Sequence, residues 1–267
     1  MAMILSGKVI LITRAAHQAD GFADLIKQYG GTPMIFPAIE ITPPASWNAC
    51  DRAIENLYMY DGIVFTSTNG VDFFSLRMTE RNIPAESIAS KMIFAVGEKT
   101  RHAVEQFGVQ VIKVPEKYTA FDLANIIKQE NLQGKTFLFP KGNLAKDTLP
   151  SLLRFLGAGV DEVEFYQTIQ PRPENVNAVS DMLMNGEINV VTFTSPSTVK
   201  SFFNLISKSN LSRRTIIAAI GPSTASAVEE FKLDVDIQPR QSTIEKFAEA
   251  IANYFQPEIQ NSKVSYD

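Results

Sequence analysis

One short turn is written twice in this chain. Residues 65–71 read FTSTNGV and residues 193–199 read FTSPSTV, each after a hydrophobic run and before a helical pattern. A shift of 128 positions lays 65–74 on 193–202 with five of ten residues identical. A shift of 124 lays IFAVGEKTRHAVEQF (93–107) on IAAIGPSTASAVEEF (217–231) with eight of fifteen identical. A shift of 127 lays GKVILITR (7–14) on GKTFLFPK (134–141), and also Gly30 on Gly157. Thr119 and Thr243, each opening a helical pattern, form the fourth match. Four matches in one order, at nearly equal shifts, imply a tandem duplication of one α/β unit. The period is too long for a solenoid, so each copy is expected to be a domain.

Within a copy the elements alternate. KVILIT, GIVFT, MIFAV and VQVIKV read as buried strands, being rich in Val, Ile and Phe and too short for helices. HQADGFADLIKQYGG, NGVDFFSLRM and KTRHAVEQFG place apolar residues at helical spacing, and the first closes on a glycine pair suited to a helix C-terminus. Strand–helix alternation predicts an α/β fold with mostly parallel sheets covered on both faces. Five strands per copy predict two flavodoxin-like, doubly wound domains. PAIEITPP (37–44) and EFYQTIQPRP (164–173) are bounded by prolines and read as extended interdomain connectors. The polar tail at 256–267, QPEIQNSKVSYD, is expected to be disordered.

Composition narrows the function. A net charge of -4 argues against a general nucleic-acid or membrane-surface binder, yet leaves room for a small anion that sees only its local site. The lone cysteine, Cys50, excludes an internal disulfide and suits a reducing compartment. MAMILSGKVILITR carries Lys8 inside its apolar run and reads as a first strand, not a signal peptide, so the chain is expected in the cytoplasm. No apolar segment approaches membrane-spanning length. There is no G-x-G-x-x-G, Walker loop or C-x-x-C, and no paired acidic pattern of the glycosidase type. Neither a metal nor a cofactor is expected.

The repeated turns are the candidate site. Open parallel sheets bind ligands at the carboxyl ends of their strands, and both turns stand at a step from strand to helix. The N–H groups of a first helical turn lack intrahelical partners and can hold an anion. Hydroxyls join them: Thr66, Ser67 and Thr68, with Asn69, in one copy, and Thr194, Ser195, Ser197 and Thr198 in the other. AVGEKT and AIGPST repeat the design with Gly97 and Thr100, and with Gly221, Ser223 and Thr224. The competing reading of any single turn is an ordinary helix cap. Arg14 and Lys141 end the matching first strands and are further candidates for an anionic ligand, the alternative being a solvated charge. His17 and His102 lack partners at ligand spacing and read as surface residues. One position breaks the repeat: Tyr166 in the second connector matches Ile39 in the first, and reads either as a chemical group or as a half-buried interface tyrosine.

Taken together, LITR, FTSTNGV, FAVGEKT, EFYQT, FTSPSTV and AAIGPSTASAV, in this order from Lys8 to about Phe255, resemble the uroporphyrinogen-III synthase family. TRAAHQ departs from it, since many members carry proline directly after the arginine. The resemblance implies two α/β domains joined by a two-stranded β-ladder, with the first strand–helix–strand unit packed with the C-terminal half. Domain one would then be 1–36 with 172–255 and domain two 37–171, where periodicity alone suggests a cut near Leu132. It implies cyclisation of the linear tetrapyrrole hydroxymethylbilane to uroporphyrinogen III, with loss of the ring A hydroxyl as water and inversion of ring D. No cofactor is required. Each domain would grip part of the same polycarboxylate, with Tyr166 as proton donor to the leaving hydroxyl. A monomer is expected, with transient contact to the preceding enzyme of the pathway left open. The competing reading is a cytoplasmic two-domain protein that clamps a small acid without chemistry.

Overall fold

The computed structural model describes residues 3–256 except 113, 116–119, 131 and 172, with the backbone alone at 120 and 129. Thr119 and the tail beyond Gln256 lie outside the described residues. The chain divides into two compact units, one from Met1–Glu40 with Ile169–Asp267, the other from Ile41–Thr168.

In chain order, the first unit opens with β1 (Val9–Ile12), α1 (Asp20–Gln28) and β2 (Thr32–Ile35). The second unit follows with β3 (Glu40–Thr42), α2 (Asn48–Glu55), β4 (Gly62–Phe65), α3 (Thr68–Glu80), β5 (Met92–Ala95) and α4 (Glu98–Gln106). It is completed by α5 (Ala120–Ile127), β6 (Thr136–Gly142), α6 (Thr148–Phe155) and β7 (Gly159–Ile169). The chain then returns to the first unit with α7 (Val176–Met184), β8 (Val190–Phe193), α8 (Pro196–Leu205), β9 (Ile216–Ala219), α9 (Pro222–Glu229) and α10 (Ile244–Tyr254).

The first unit's sheet runs β2-β1-β8-β9, all parallel, and a parallel bridge from Ala218 to Ile237 extends it beyond β9. The second unit's sheet runs β3-β7-β6-β4-β5, with parallel pairing from β7 through β5. The uninterrupted apolar strands follow from burial on both faces. Ile10 and Ile12 pack toward Phe22 of α1 and Phe247 of α10, whose rings stack at 5.4 Å. Leu11 and Val191 join Val179, Phe202 and Val228 of α7, α8 and α9 on the other side. In the second unit Ile63 and Phe65 meet Phe74 of α3, while Val64 and Phe139 meet Leu123 and Leu153 of α5 and α6.

One expectation changes in detail. VQVIKV (109–114) forms no strand among its described residues; Ile112 makes one backbone bond, to the Ile93 carbonyl at 2.9 Å. The compact units part inside β3, after Glu40, and near the end of β7, after Thr168. β3 lies at the edge of the five-stranded sheet, with β7 as its neighbour. Among the described residues, no helix is long and apolar enough to cross a membrane.

Candidate active site

Ser67 has extended backbone and N-caps α3, its Oγ accepting from Gly70 N at 3.0 Å. The third residue of the helix is thus a glycine, and a Cβ there would come within 3.1 Å of the Pro140 carbonyl at the end of β6. The same Ser67 Oγ lies 3.1 Å from Tyr166 Oη, 99 residues away in sequence. A bulge sets the phenol in place: Lys141 pairs with Glu164 but Gly142 with Tyr166, so β7 spends one extra residue at this point. Tyr166 then lies over Gly142, where a Cβ would stand 2.5 Å from two ring carbons. Phe73 of α3 stacks on the ring at 5.9 Å and 17°. The Asn143 N–H donates to the Tyr166 carbonyl at 3.3 Å, and its side chain exchanges bonds with the Thr168 backbone. Burial pushes the phenol above its ordinary value of 10.0, and the Ser67 bond pulls the other way. At neutral pH the phenol is uncharged and keeps its proton.

The first unit repeats the turn but closes it. Ser195 N-caps α8 in a reciprocal capping box. Thr198 N donates to Ser195 Oγ and Ser195 N to Thr198 Oγ1, both at 3.2 Å, while Thr198 Oγ1 donates to the Ser195 carbonyl at 2.6 Å. Ser195 and Ser197 hydroxyls lie 2.8 Å apart. Beside this turn β1 and β8 are tied by hydroxyls: Thr13 donates to the Thr192 carbonyl and Thr192 to the Leu11 carbonyl, each at 2.7 Å and fully buried.

The remaining candidates divide by exposure. Gly97 and Gly221 N-cap α4 and α9 with extended backbone and no side-chain cap. Thr100, Thr198 and Thr224 were expected on the binding edge, but they are only 6%, 0% and 2% exposed. Each stands three residues after its cap, and the Thr198 side chain returns to Ser195 and fixes that turn. Thr66, Thr68, Asn69 and Ser197 are half-buried, and Ser223 is exposed. The two strand-end cations differ as well. Lys141 Nζ is 2.6 Å from Glu162, which also holds Arg154 at 2.7 Å. Arg14 donates from one terminal nitrogen to Gln18 at 3.1 Å, but its Nε is buried with no hydrogen-bond partner among the described residues. Burial pulls the guanidinium below its ordinary value, without threatening its charge. Among the described residues no cluster of metal-ligating side chains occurs.

A family model described as uroporphyrinogen-III synthase HemD matches residues 20–249. The chain belongs to the uroporphyrinogen-III synthase family. A uroporphyrinogen-III synthase of Chlorobaculum parvum is 38% identical over 247 residues, spanning 92% of this chain and 98% of the relative. One from Synechococcus elongatus is 30% identical over 258 residues, spanning 94% and 96%. The fold is shared with a solved uroporphyrinogen III synthase mutant from Thermus thermophilus (TM-score 0.67, 18% identity, 93% and 99% covered). It is also shared with the uroporphyrinogen-III synthetase of Helicobacter pylori (TM-score 0.64, 17% identity, 93% and 99% covered). Within this member of the uroporphyrinogen-III synthase family, sequence reasoning missed Gly142, Phe73 and Asn143 around Tyr166, and the Thr13–Thr192 pair. The one local signal was the spacing of three from each cap to Thr100, Thr198 and Thr224, which Gly70 alone breaks.

Proposed function

We propose that the chain closes hydroxymethylbilane to uroporphyrinogen III with inversion of ring D and release of water. The Tyr166 phenol gives its proton to the ring A hydroxyl, the carbon–oxygen bond breaks, and water leaves. The cation that remains is attacked by the substituted α-carbon of ring D. The spiro intermediate opens, ring D turns over and rejoins through its free α-carbon, and the proton that carbon then loses restores the Tyr166 phenol. The net change is loss of one water, so no oxidant, reductant or cofactor is consumed. The carrying observation is the seat of Tyr166: a neutral phenol held by Ser67, Phe73 and Gly142 at the carboxyl end of a parallel sheet.

Carboxylates of the substrate are taken by the first turns capped at Ser67, Gly97, Ser195 and Gly221, by the hydroxyls of Thr66, Thr68, Ser197 and Ser223 with Asn69, and by Arg14. Thr100, Thr198, Thr224 and Lys141 act on these groups from beneath. We further infer an internal duplication with domains at 1–36 plus 172–255 and at 37–171. What supports it is that β1-α1-β2 stands to β8 and β9 as β6-α6-β7 stands to β4 and β5. A cytoplasmic monomer fits the single buried Cys50 and the two units supplied by one chain. The test is turnover of freshly generated hydroxymethylbilane with isomer analysis. The type III product above the spontaneous type I background is expected; type I alone overturns the proposal.

A further inference from the structure

We propose that Ser67 is a positioning residue for this reaction: its hydroxyl donates to the phenolic oxygen of Tyr166 and so keeps the phenolic proton turned toward the substrate. This rests on the reading of Tyr166 as the proton donor. Gly70 N–H, which can only donate, occupies a lone pair of Ser67 Oγ at 3.0 Å. The positive end of α3 lies on the same side of that oxygen. In that field the hydroxyl dipole turns its oxygen toward the helix and its proton away. The acceptor within reach of that proton is Tyr166 Oη at 3.1 Å.

A phenolic O–H stays close to the ring plane and has two settings, one facing Ser67 and one facing away. With the serine proton filling the first, the phenolic proton takes the second. The ring cannot swing to undo this, since Phe73 stacks on it and Gly142 lies directly against it. The resulting chain, from Gly70 N–H through Ser67 O–H to Tyr166 O–H, polarises each successive bond and makes the phenol a better acid. The Ser67 bond accordingly opposes the upward push of burial on this phenol. In the other copy the third helical residue is Thr198, and its backbone and side chain hold Ser195 within its own turn.

The experiment uses the full chain with hydroxymethylbilane as substrate and compares Ser67→Ala, Ser67→Asp, Ser67→Thr and Tyr166→Phe. Each variant is read by kcat, KM and ultraviolet titration of its tyrosines, with Tyr166→Phe identifying the Tyr166 component. Ser67→Ala is expected to lower kcat about tenfold with KM within about twofold, and to raise the Tyr166 titration. Ser67→Asp still caps α3 but cannot donate; it keeps the melting temperature and shows the same fall in kcat. Ser67→Thr restores both readouts. The proposal is overturned if Tyr166→Phe loses turnover while Ser67→Ala or Ser67→Asp keeps wild-type kcat and an unmoved titration. Near-normal turnover of Tyr166→Phe instead overturns the assignment of Tyr166 on which it rests.

Discussion

The turns at Ser67 and Ser195 begin alike and end differently. Both serines cap a helix at the end of a buried parallel strand, and both accept a bond from the third helical N–H. In the first unit that third residue is Thr198, whose hydroxyl returns to Ser195, so the turn satisfies itself. In the second unit it is Gly70, and the serine hydroxyl faces Tyr166. The strand-end cations differ in the opposite sense. Lys141, in the unit with the phenol, is neutralised by Glu162, while Arg14, in the unit without it, keeps a buried nitrogen unpaired. On the proposed reading the second unit offers a proton and the first a charge. The two units carry the same capped turn, and single side chains set them apart.

That contrast can be broken at named positions. The largest effect in this series is expected from Gly142→Ala. Its Cβ would overlap the Tyr166 ring, so the phenol must leave its seat, and turnover should fall about thirtyfold or more with the far-ultraviolet circular dichroism unchanged. Wild-type turnover would show that the seat is irrelevant. Arg14→Gln removes a cation desolvated for an anion and should raise KM about tenfold with kcat nearly kept. Lys141→Gln should raise KM by no more than about twofold, since Glu162 already holds that charge. Equal effects of the two would erase the distinction drawn between the units. The smallest catalytic effect belongs to Ser195→Ala. Loss of its cap should cost about 1 kcal/mol in denaturant unfolding while changing turnover less than about twofold.

Much of this was legible because it is local. A hydroxyl before a helical pattern reads as a cap, and Ser67, Ser195 and Thr243 each accept the bond that such a residue should. Strands such as GIVF and VVTF are apolar without alternation because both faces are covered, which runs of Val, Ile and Phe announce. What stayed hidden depends on residues far apart in sequence. The bulge at Gly142 and Tyr166 is a mismatch between two strands and has no signature in either one. Thr13 and Thr192 look like ordinary strand residues until β1 and β8 pair. The burial of Thr100, Thr198 and Thr224 follows from their place three residues after a cap, which residue type alone does not announce.

The central claim is that the second unit supplies the proton through Tyr166, and Tyr166→Phe tests it most directly. The substitution keeps the ring over Gly142 and against Phe73 and removes only the hydroxyl. Single-turnover formation of uroporphyrinogen III from hydroxymethylbilane should be measured beside the affinity for uroporphyrinogen III on the same preparation. The account predicts a fall in rate of about 10²-fold or more with affinity unchanged. A rate near that of the wild type, or a loss of affinity in step with the loss of rate, would contradict it.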